Sequence, residues 1–384
     1  MKIAIATGTR ADWGLLSPIA RALDARPDCE VTILATNMHL IPEYGNTIGE
    51  VMADGFPDAV RVAMPADTDT PLKVTEAMAA CMTAMGRELE RLRPDRIVIL
   101  GDRFEMLATA TAALMAGVPI VHIAGGEISE GAVDDSIRHA ITKMASLHLT
   151  ATETYRRRVI AMGEEPARVI NTGAIGVYNM LNLPVLSKQE LEQSIGMELT
   201  PGTLLVTYHP ATLDPEPPAV RVGALLSALD RFPASKILFT YPNNDARGRQ
   251  IIPLIDAYAK ARPERVCVVP SLGRLRYASA LRLVSAVVGN SSSGLVEVPS
   301  AGIPTVDIGI RQRGRIAGAS VVHCGDTADE IARAISYALS PEGQAAARSA
   351  ANPYGGPDTL ATMVRAIAET PGATLRNKKF HDIE

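Results

Sequence analysis

Six short segments hold residues whose types and spacing could carry chemistry. In Gly8-Thr9-Arg10-Ala11-Asp12-Trp13-Gly14, a glycine allows a tight turn onto a helix N-terminus. The free N–H groups of such a terminus attract phosphate, and Arg10 adds a fixed positive charge. The plainer alternative is an ordinary turn with Arg10 in a surface salt bridge. The second segment, Gly101-Asp102-Arg103-Phe104-Glu105, places a carboxylate beside an arginine. Asp102 either caps the next helix or is set at a strand end for proton transfer or ligand contact. The third runs His122-Ile123-Ala124-Gly125-Gly126-Glu127, then Asp134-Asp135-Ser136-Ile137-Arg138-His139. The two glycines bring backbone close to a neighbour and aim Glu127 out of the sheet. Asp134 and Arg138, four apart, share a helix face, so a simple i,i+4 ion pair would explain them but not the Gly-Gly-Glu turn.

The other three lie in the second half, the fourth being made of two pieces, His209-Pro210 and Tyr241-Pro242-Asn243-Asn244-Asp245. His209-Pro210 follows an apolar run, where a single histidine is more often structural than catalytic. Tyr241-Pro242-Asn243-Asn244-Asp245 has the composition of a turn. Gly289-Asn290-Ser291-Ser292-Ser293-Gly294 gathers N–H donors and hydroxyls as a diphosphate cradle would, or as an N-cap with spare serines. Glu297, one turn on, could accept both hydroxyls of a ribose. In Arg311-Gln312-Arg313-Gly314-Arg315, a solvated basic loop is the favoured reading for Arg313 and Arg315.

These segments need a scaffold that presents them together. Apolar runs at 3–7, 31–36, 96–100, 119–123, 148–152 and 169–171 read as buried parallel strands, with helical spacing at 15–23, 74–92 and 105–115 between them. A second alternating series has strands at 204–208, 236–241, 266–269, 286–289 and 305–308. Its helices fall at 220–229, 251–261 and 329–339. A last helix near 360–368 precedes a polar tail, 377–384, expected to be loosely ordered. Strand–helix alternation implies α/β architecture with parallel sheets. The expected division is residues 1–180 and 181–384, with 181–199 as the crossing and the last helix able to pack back on the N-terminal domain. Ligands of open α/β sheets bind at the carboxyl ends of the strands, which is where the six segments fall.

Composition narrows the partners. The chain has 384 residues, too many for a single core, and 47% are hydrophobic. A formal net charge of −4 with no basic run disfavours nucleic acid and anionic membrane. Four cysteines without a CxxC pair and an N-terminus that begins directly with a strand suit a reduced, cytoplasmic protein. No HExxH or clustered ligand spacing suggests a metal, and the absence of GxGxxG disfavours NAD, so no cofactor is expected. A homo-oligomer, dimer or tetramer, is expected.

Taken in order, GTRADWG, GDRFE, HIAGGEISEGAVDDSIRHAITKM, YHP, YPNND, GNSSSGLVEVPSAG and IRQRGR resemble the hydrolysing UDP-N-acetylglucosamine 2-epimerases of sialic- and related nonulosonic-acid biosynthesis. The resemblance runs from about residue 2 to about residue 319. It implies the GT-B architecture, two Rossmann-like domains facing a central cleft, with neither metal nor nicotinamide. It also implies that Asp102, Glu127 and Asp134 are the catalytic carboxylates. By the same resemblance Arg10, Ala11, Arg103, His209, Asn243, Ser291, Ser292, Glu297 and Arg311 hold the nucleotide diphosphate. Non-hydrolysing relatives usually read Glu-Ala-Gly where this chain has Ala124-Gly125-Gly126, which favours the hydrolysing branch. The implied reaction eliminates the nucleoside diphosphate to a glycal, then adds water at C1 and a proton to the opposite face of C2. Its products are the nucleoside diphosphate and an N-acetylmannosamine-type sugar. UDP against GDP, N-acetylglucosamine against a 2,4-diacetamido-trideoxyhexose, and the order in which the carboxylates act stay open. A non-hydrolysing 2-epimerase and a GT-B glycosyltransferase are the neighbouring alternatives.

Overall fold

A computed structural model of the chain describes residues 1–68, 70–129, 133–210, 216–242, 248–355 and 358–382. It divides into two compact units. The first comprises Met1–Glu127, Asp134–Tyr178 and Tyr354–Glu384; the second comprises Ile128–Val133 and Asn179–Pro353.

The first unit runs β1 (Lys2–Thr7), α1 (Arg10–Asp24), β2 (Glu30–Ala35), α2 (Ile48–Ala53), β3 (Val60–Arg61), α3 (Pro71–Leu92), β4 (Arg96–Leu100), α4 (Phe104–Met115), β5 (Ile120–Ile123), α5 (Val133–Met144), β6 (Leu147–Thr150), α6 (Glu153–Ala161), β7 (Val169–Asn171) and the start of α7 (Ile175–Asn182), which the chain follows into the second unit. Among the described residues its sheet has the order β3-β2-β1-β4-β5-β6-β7, and every pairing is parallel. Side chains alternate across the sheet: Ile3 and Ile5 join one core and Ala4 and Ala6 the other. Both faces are therefore covered, which is why these strands read as unbroken apolar runs.

The second unit follows with α8 (Lys188–Ile195), β8 (Leu204–Thr207), α9 (Pro218–Leu229), β9 (Ile237–Thr240), α10 (Gly248–Lys260), β10 (Val266–Val269), α11 (Gly273–Leu281), β11 (Ala286–Gly289), α12 (Ser293–Val296), β12 (Thr305–Ile308), β13 (Val321–Cys324), α13 (Ala328–Leu339) and α14 (Pro341–Ser349). Its sheet order is β10-β9-β8-β11-β12-β13. Each sheet thus builds outward from its first strand in both directions, the Rossmann order. The stretch expected as a crossing is not a bare linker. Ser187 and Glu190 form a capping box for α8, and Leu191, Ile195 and Leu199 are buried in the second unit's core.

From Tyr354 the chain belongs to the first unit, through α15 (Thr359–Glu369) and α16 (Gly372–Arg376). Met363, Ala366, Ile367 and Leu375 enter the same core as Ile3 and Leu16. The buried guanidinium of Arg96 donates to the carbonyls of Ile367 and Thr370, satisfying groups that the end of α15 leaves without helical partners.

The polar tail is held, contrary to the expectation of a loose end. Lys378 Nζ lies 2.8 Å from Glu164 Oε2, and His381 N donates to the Gly163 carbonyl at 3.0 Å. Glu164 is buried and also meets Lys143 at 2.5 Å and His148 at 3.0 Å. Burial pushes its carboxyl up, but the bonds from His148, Lys143 and Lys378 outweigh this and bring it down to about 2. A carboxyl that titrates lower in the folded state than its ordinary 4.5 stabilises the fold above that pH. The contribution is lost as pH falls from about 4.5 to about 2. Glu164→Gln is therefore expected to cost about 2–3 kcal/mol at pH 7, by losing the ionised acceptor that His148, Lys143 and Lys378 share, and much less at pH 2–3. Denaturant melts at the two pH values check this; an equal loss at both would refute the arrangement.

Candidate active site

In each sheet the strand order reverses between two central strands, and their carboxyl ends open a crevice there. In the first unit these are β1 and β4. Thr9 caps α1, its hydroxyl accepting the Asp12 N–H at 3.1 Å. Arg10 Nε lies 3.0 Å from Glu50 in a well-exposed pair. Such pairs are worth on the order of 0–1 kcal/mol, so a stronger anion can exchange for Glu50 at little cost. Ala11 is exposed on the first turn of α1. A Cβ on Gly8 would overlap the carboxyl of Glu105, so only glycine permits this approach of the loop to α4. Glu105 is fully buried and accepts from Arg103 Nε at 2.8 Å. Asp12 belongs to the same group. Burial raises it to about 6, with Arg103 acting against the shift and Glu105 adding to it.

Asp102 is not the cap of α4; Arg103 occupies that position, without a side-chain capping bond. The Asp102 carboxylate instead accepts the guanidinium of Arg138, which is 1% exposed. Arg138 also donates to the Glu127 carbonyl at 3.0 Å and to Asp135 at 3.3 Å. One buried arginine therefore ties the end of β4, the peptide after β5 and the first turn of α5. Asp134 lies in that first turn beside Asp135, where negative charge suits the helix N-terminus. The bonds described for Arg138 within α5 go to Asp135, three residues away.

The segment after β5 is strained and tightly packed. Ala124 has φ +66°, in the left-handed region that non-glycine residues rarely adopt. A Cβ on Gly125 would come within 3.0 Å of both His122 Nδ1 and Thr142 Oγ1. At Gly126, φ is +81° and a Cβ would lie 2.6 Å from the Tyr155 carbonyl. The neighbours that the glycine pair approaches are thus His122, Thr142 and α6. Burial keeps His122 neutral, lowered to about 3, and its Nε2 is 2.8 Å from the Gly101 carbonyl, linking β5 to the end of β4. Glu127 follows, buried at 7% exposure.

In the second unit the reversal lies between β8 and β11. A Cβ on Gly289, whose φ is +146°, would overlap the Thr207 carbonyl. Beyond these strand ends, His209 N donates to Asn290 Oδ1 and Asn290 Nδ2 donates to the His209 carbonyl, each at 2.7 Å. Ser291 and Ser292 are half-buried, and Ser292 makes no capping bond, so it is not spent as an N-cap. Ser293 lies 2.6 Å from the Tyr277 hydroxyl. The helix expected behind these serines is only four residues long and continues as a 3-10 turn over Val298–Ala301. Its dipole is correspondingly small, and a cradle here must rely on local donors. Glu297 closes α12 and is half-buried. Arg311 Nη1 and Gln312 Nε2 donate to the Asn290 carbonyl at 3.0 and 2.8 Å. Arg313 is exposed as expected, but Arg315 is not simply solvated. It donates to the Ile128 carbonyl and to Ser129 Oγ, both at 3.0 Å. Asn243 lies outside the described residues.

Residues 21–368 match the UDP-N-acetylglucosamine 2-epimerase family. The chain belongs to that family. A GDP/UDP-N,N'-diacetylbacillosamine 2-epimerase (hydrolyzing) of Campylobacter jejuni is 35% identical over 321 residues, covering 84% of this chain and 83% of its own length. The polysialic acid biosynthesis protein P7 of Escherichia coli is 34% identical over 384 residues, covering 100% of this chain and 97% of its own. A crystal structure of the UDP-GlcNAc 2-epimerase from Neisseria meningitidis bound to UDP-GlcNAc superposes with TM-score 0.80 at 16% identity, over 96% of this chain and 100% of that one. That likeness concerns the fold: two Rossmann-like parallel-sheet units, the components of the GT-B class. No helix among the described residues is long and apolar enough to cross a membrane.

For this epimerase-family chain, the structure brings Asp102 and the Glu127 peptide onto Arg138 and places Asp134 on the same helix as that arginine. His209 and Arg311 both attach to Asn290. The positions of Arg138, Asn290, Gln312 and Arg315 at these strand ends are not legible in local sequence. Each stands inside a motif already singled out, which was the available signal; the partner across the sheet was missing. The glycines after β4 and β5 separate strain from crowding. Gly101 has φ +77° with open space around it, whereas Gly126 has both positive φ and a carbonyl in the way. Gly101→Ala is expected to cost about 1 kcal/mol and Gly126→Ala roughly 2–4 kcal/mol with loss of turnover. Equilibrium unfolding of both variants gives the comparison, and equal losses would contradict the packing described.

Proposed function

We propose that the chain is a hydrolysing 2-epimerase acting on a nucleoside-diphospho acetamido sugar, with a 2,4-diacetamido-trideoxyhexose as the preferred sugar. The observation that carries this is the buried Arg138, which fixes Asp102 and the Glu127 peptide at adjacent strand ends with Asp134 on its own helix. The choice of sugar draws support from the 35% identical C. jejuni relative, named for a diacetylbacillosamine substrate and for hydrolysis. UDP-N-acetylglucosamine is the second reading, favoured by the family's description. The free 2-epimeric sugar would feed nonulosonic-acid biosynthesis, of the sialic or legionaminic type, in the cytoplasm.

In this reading the first unit carries the acid–base work and the second holds the nucleoside diphosphate. The C2 hydrogen of an acetamido sugar is not acidic, so removing it directly is costly. Weakening the C1–O bond first makes C1 oxocarbenium-like and C2–H labile. The electron pair of the C1–O bond leaves with the diphosphate, and positive charge from Arg10, Arg103 and Arg311 stabilises it. The C2 proton passes to one carboxylate of the trio Asp102, Glu127 and Asp134, and a C1=C2 double bond forms. Water then adds its oxygen to C1 while C2 is protonated on the opposite face. Ser291, Ser292, His209, Glu297, Ala11 and Asn243 complete the nucleotide contacts in this assignment.

Asp102→Asn, Glu127→Gln and Asp134→Asn are each expected to lower turnover about a hundredfold or more while leaving nucleotide affinity nearly unchanged. Steady-state rates and calorimetry on the three variants test the assignment; normal turnover in all three removes it. The route itself is read by isotopes. In deuterated water the released sugar should carry one deuterium at C2 with inverted configuration. In oxygen-labelled water the label should enter C1 of the first-formed sugar and not the diphosphate. An inverted sugar that keeps its original C2 hydrogen would rule out the glycal, and one still joined to its nucleotide would indicate a non-hydrolysing enzyme.

A further inference from the structure

We infer that Asn290 is the positioning residue of the nucleotide half of the site, setting His209 and Arg311 in place together; the inference rests on the assignment of those two residues to the nucleotide. Asn290 is 2% exposed and stands at the first position beyond β11, where β8 and β11 part at the strand-order reversal. All four of its polar groups are engaged. Its N–H donates to the Thr207 carbonyl at 3.3 Å. Its carboxamide meets both backbone groups of His209 at 2.7 Å. Its carbonyl accepts from Arg311 at 3.0 Å and Gln312 at 2.8 Å.

The carboxamide imitates one more rung of the β8–β11 ladder after Gly289, where the two backbones approach too closely for any side chain on that strand end. Only a side chain with an acceptor and a donor at this length can bond both His209 groups at once. Aspartate lacks the donor and glutamine is one methylene too long. The Asn290 peptide, fixed by this clamp, then fixes the direction of Arg311. A serine-rich loop on a four-residue helix has little other means of holding an arginine and a histidine in register. Asn290 needs no contact with the ligand to do this.

The test uses the full chain, with UDP and GDP alone as calorimetric probes. Asn290→Ala, a neutral change, is expected to weaken the nucleotide that wild type binds by about tenfold or more, the loss typical of a misplaced charged hydrogen bond. Turnover at saturating substrate should change far less, and the KM should rise. Added to a His209→Ala, Arg311→Ala double variant, Asn290→Ala should cost little more than that pair alone, because it acts through both. A merely structural asparagine would lower the melting temperature while the folded protein bound nucleotide normally, with additive losses; that result overturns the inference. Should Asn290→Ala not fold, Asn290→Ser is read in the same way. Wild-type protein that binds neither nucleotide would instead overturn the proposed function, a distinguishable failure.

Discussion

Everything in this protein hangs on where two parallel strands part. In each sheet the chain builds outward from its first strand, first to one side and then to the other. The loops after β1 and β4, and after β8 and β11, therefore leave neighbouring strand ends in diverging directions. The backbones stay close at that point, and Gly8 and Gly289 are where a side chain would not fit. The crevice is a consequence of sheet connectivity, and the loops that carry the sequence motifs border it.

The second theme is how buried charge is tolerated. Arg138, Arg96 and Glu105 are essentially without solvent contact, and each meets a partner of opposite charge or backbone carbonyls, although Arg96 Nε and Glu105 Oε2 have no hydrogen-bond partner of their own. Charges paired in this way contribute little net stability over apolar replacements, but removing one partner is expensive because the other is stranded. What such pairs supply is definition. Asp102 cannot drift from the β4 end while Arg138 is fixed by the Glu127 carbonyl and by Asp135. Arg10, in contrast, sits in an exposed pair with Glu50 and is cheap to redirect. The first unit thus holds both kinds of pairing, a buried one at Asp102 and an exposed one at Arg10.

The same contrast holds between the halves. The first unit ties its strand ends with side-chain charges on α5 and the β4 end. The second uses a carboxamide and backbone carbonyls around Asn290, with only the short α12 behind them. The C-terminal segment returns to the first unit and is pinned by Lys378 on Glu164, close to the chain that leads from α5 into β6. The end of the sequence thereby braces the layer that carries Arg138.

Much of this was legible in the residues. Apolar runs bounded by turn signals located β4, β7, β10, β11 and β12 to the residue, because each is a short apolar stretch between polar or turn-forming residues. Strands β3 and β13 escaped notice because one is two residues long and the other is a partly exposed edge. The motifs named the segments that would carry chemistry, because turn glycines, carboxylates and arginines at strand ends have few other reasons to occur together. Partnership was beyond reach. That Asp102 pairs with Arg138, that Arg315 grips the Ile128 carbonyl, and that Asn290 clasps His209 depends on segments brought together from 36, 187 and 81 residues apart. Local sequence sets which groups are available and how the backbone turns; hydrogen bonds between distant segments are chosen only when the sheets close and desolvation makes every unpaired charge costly.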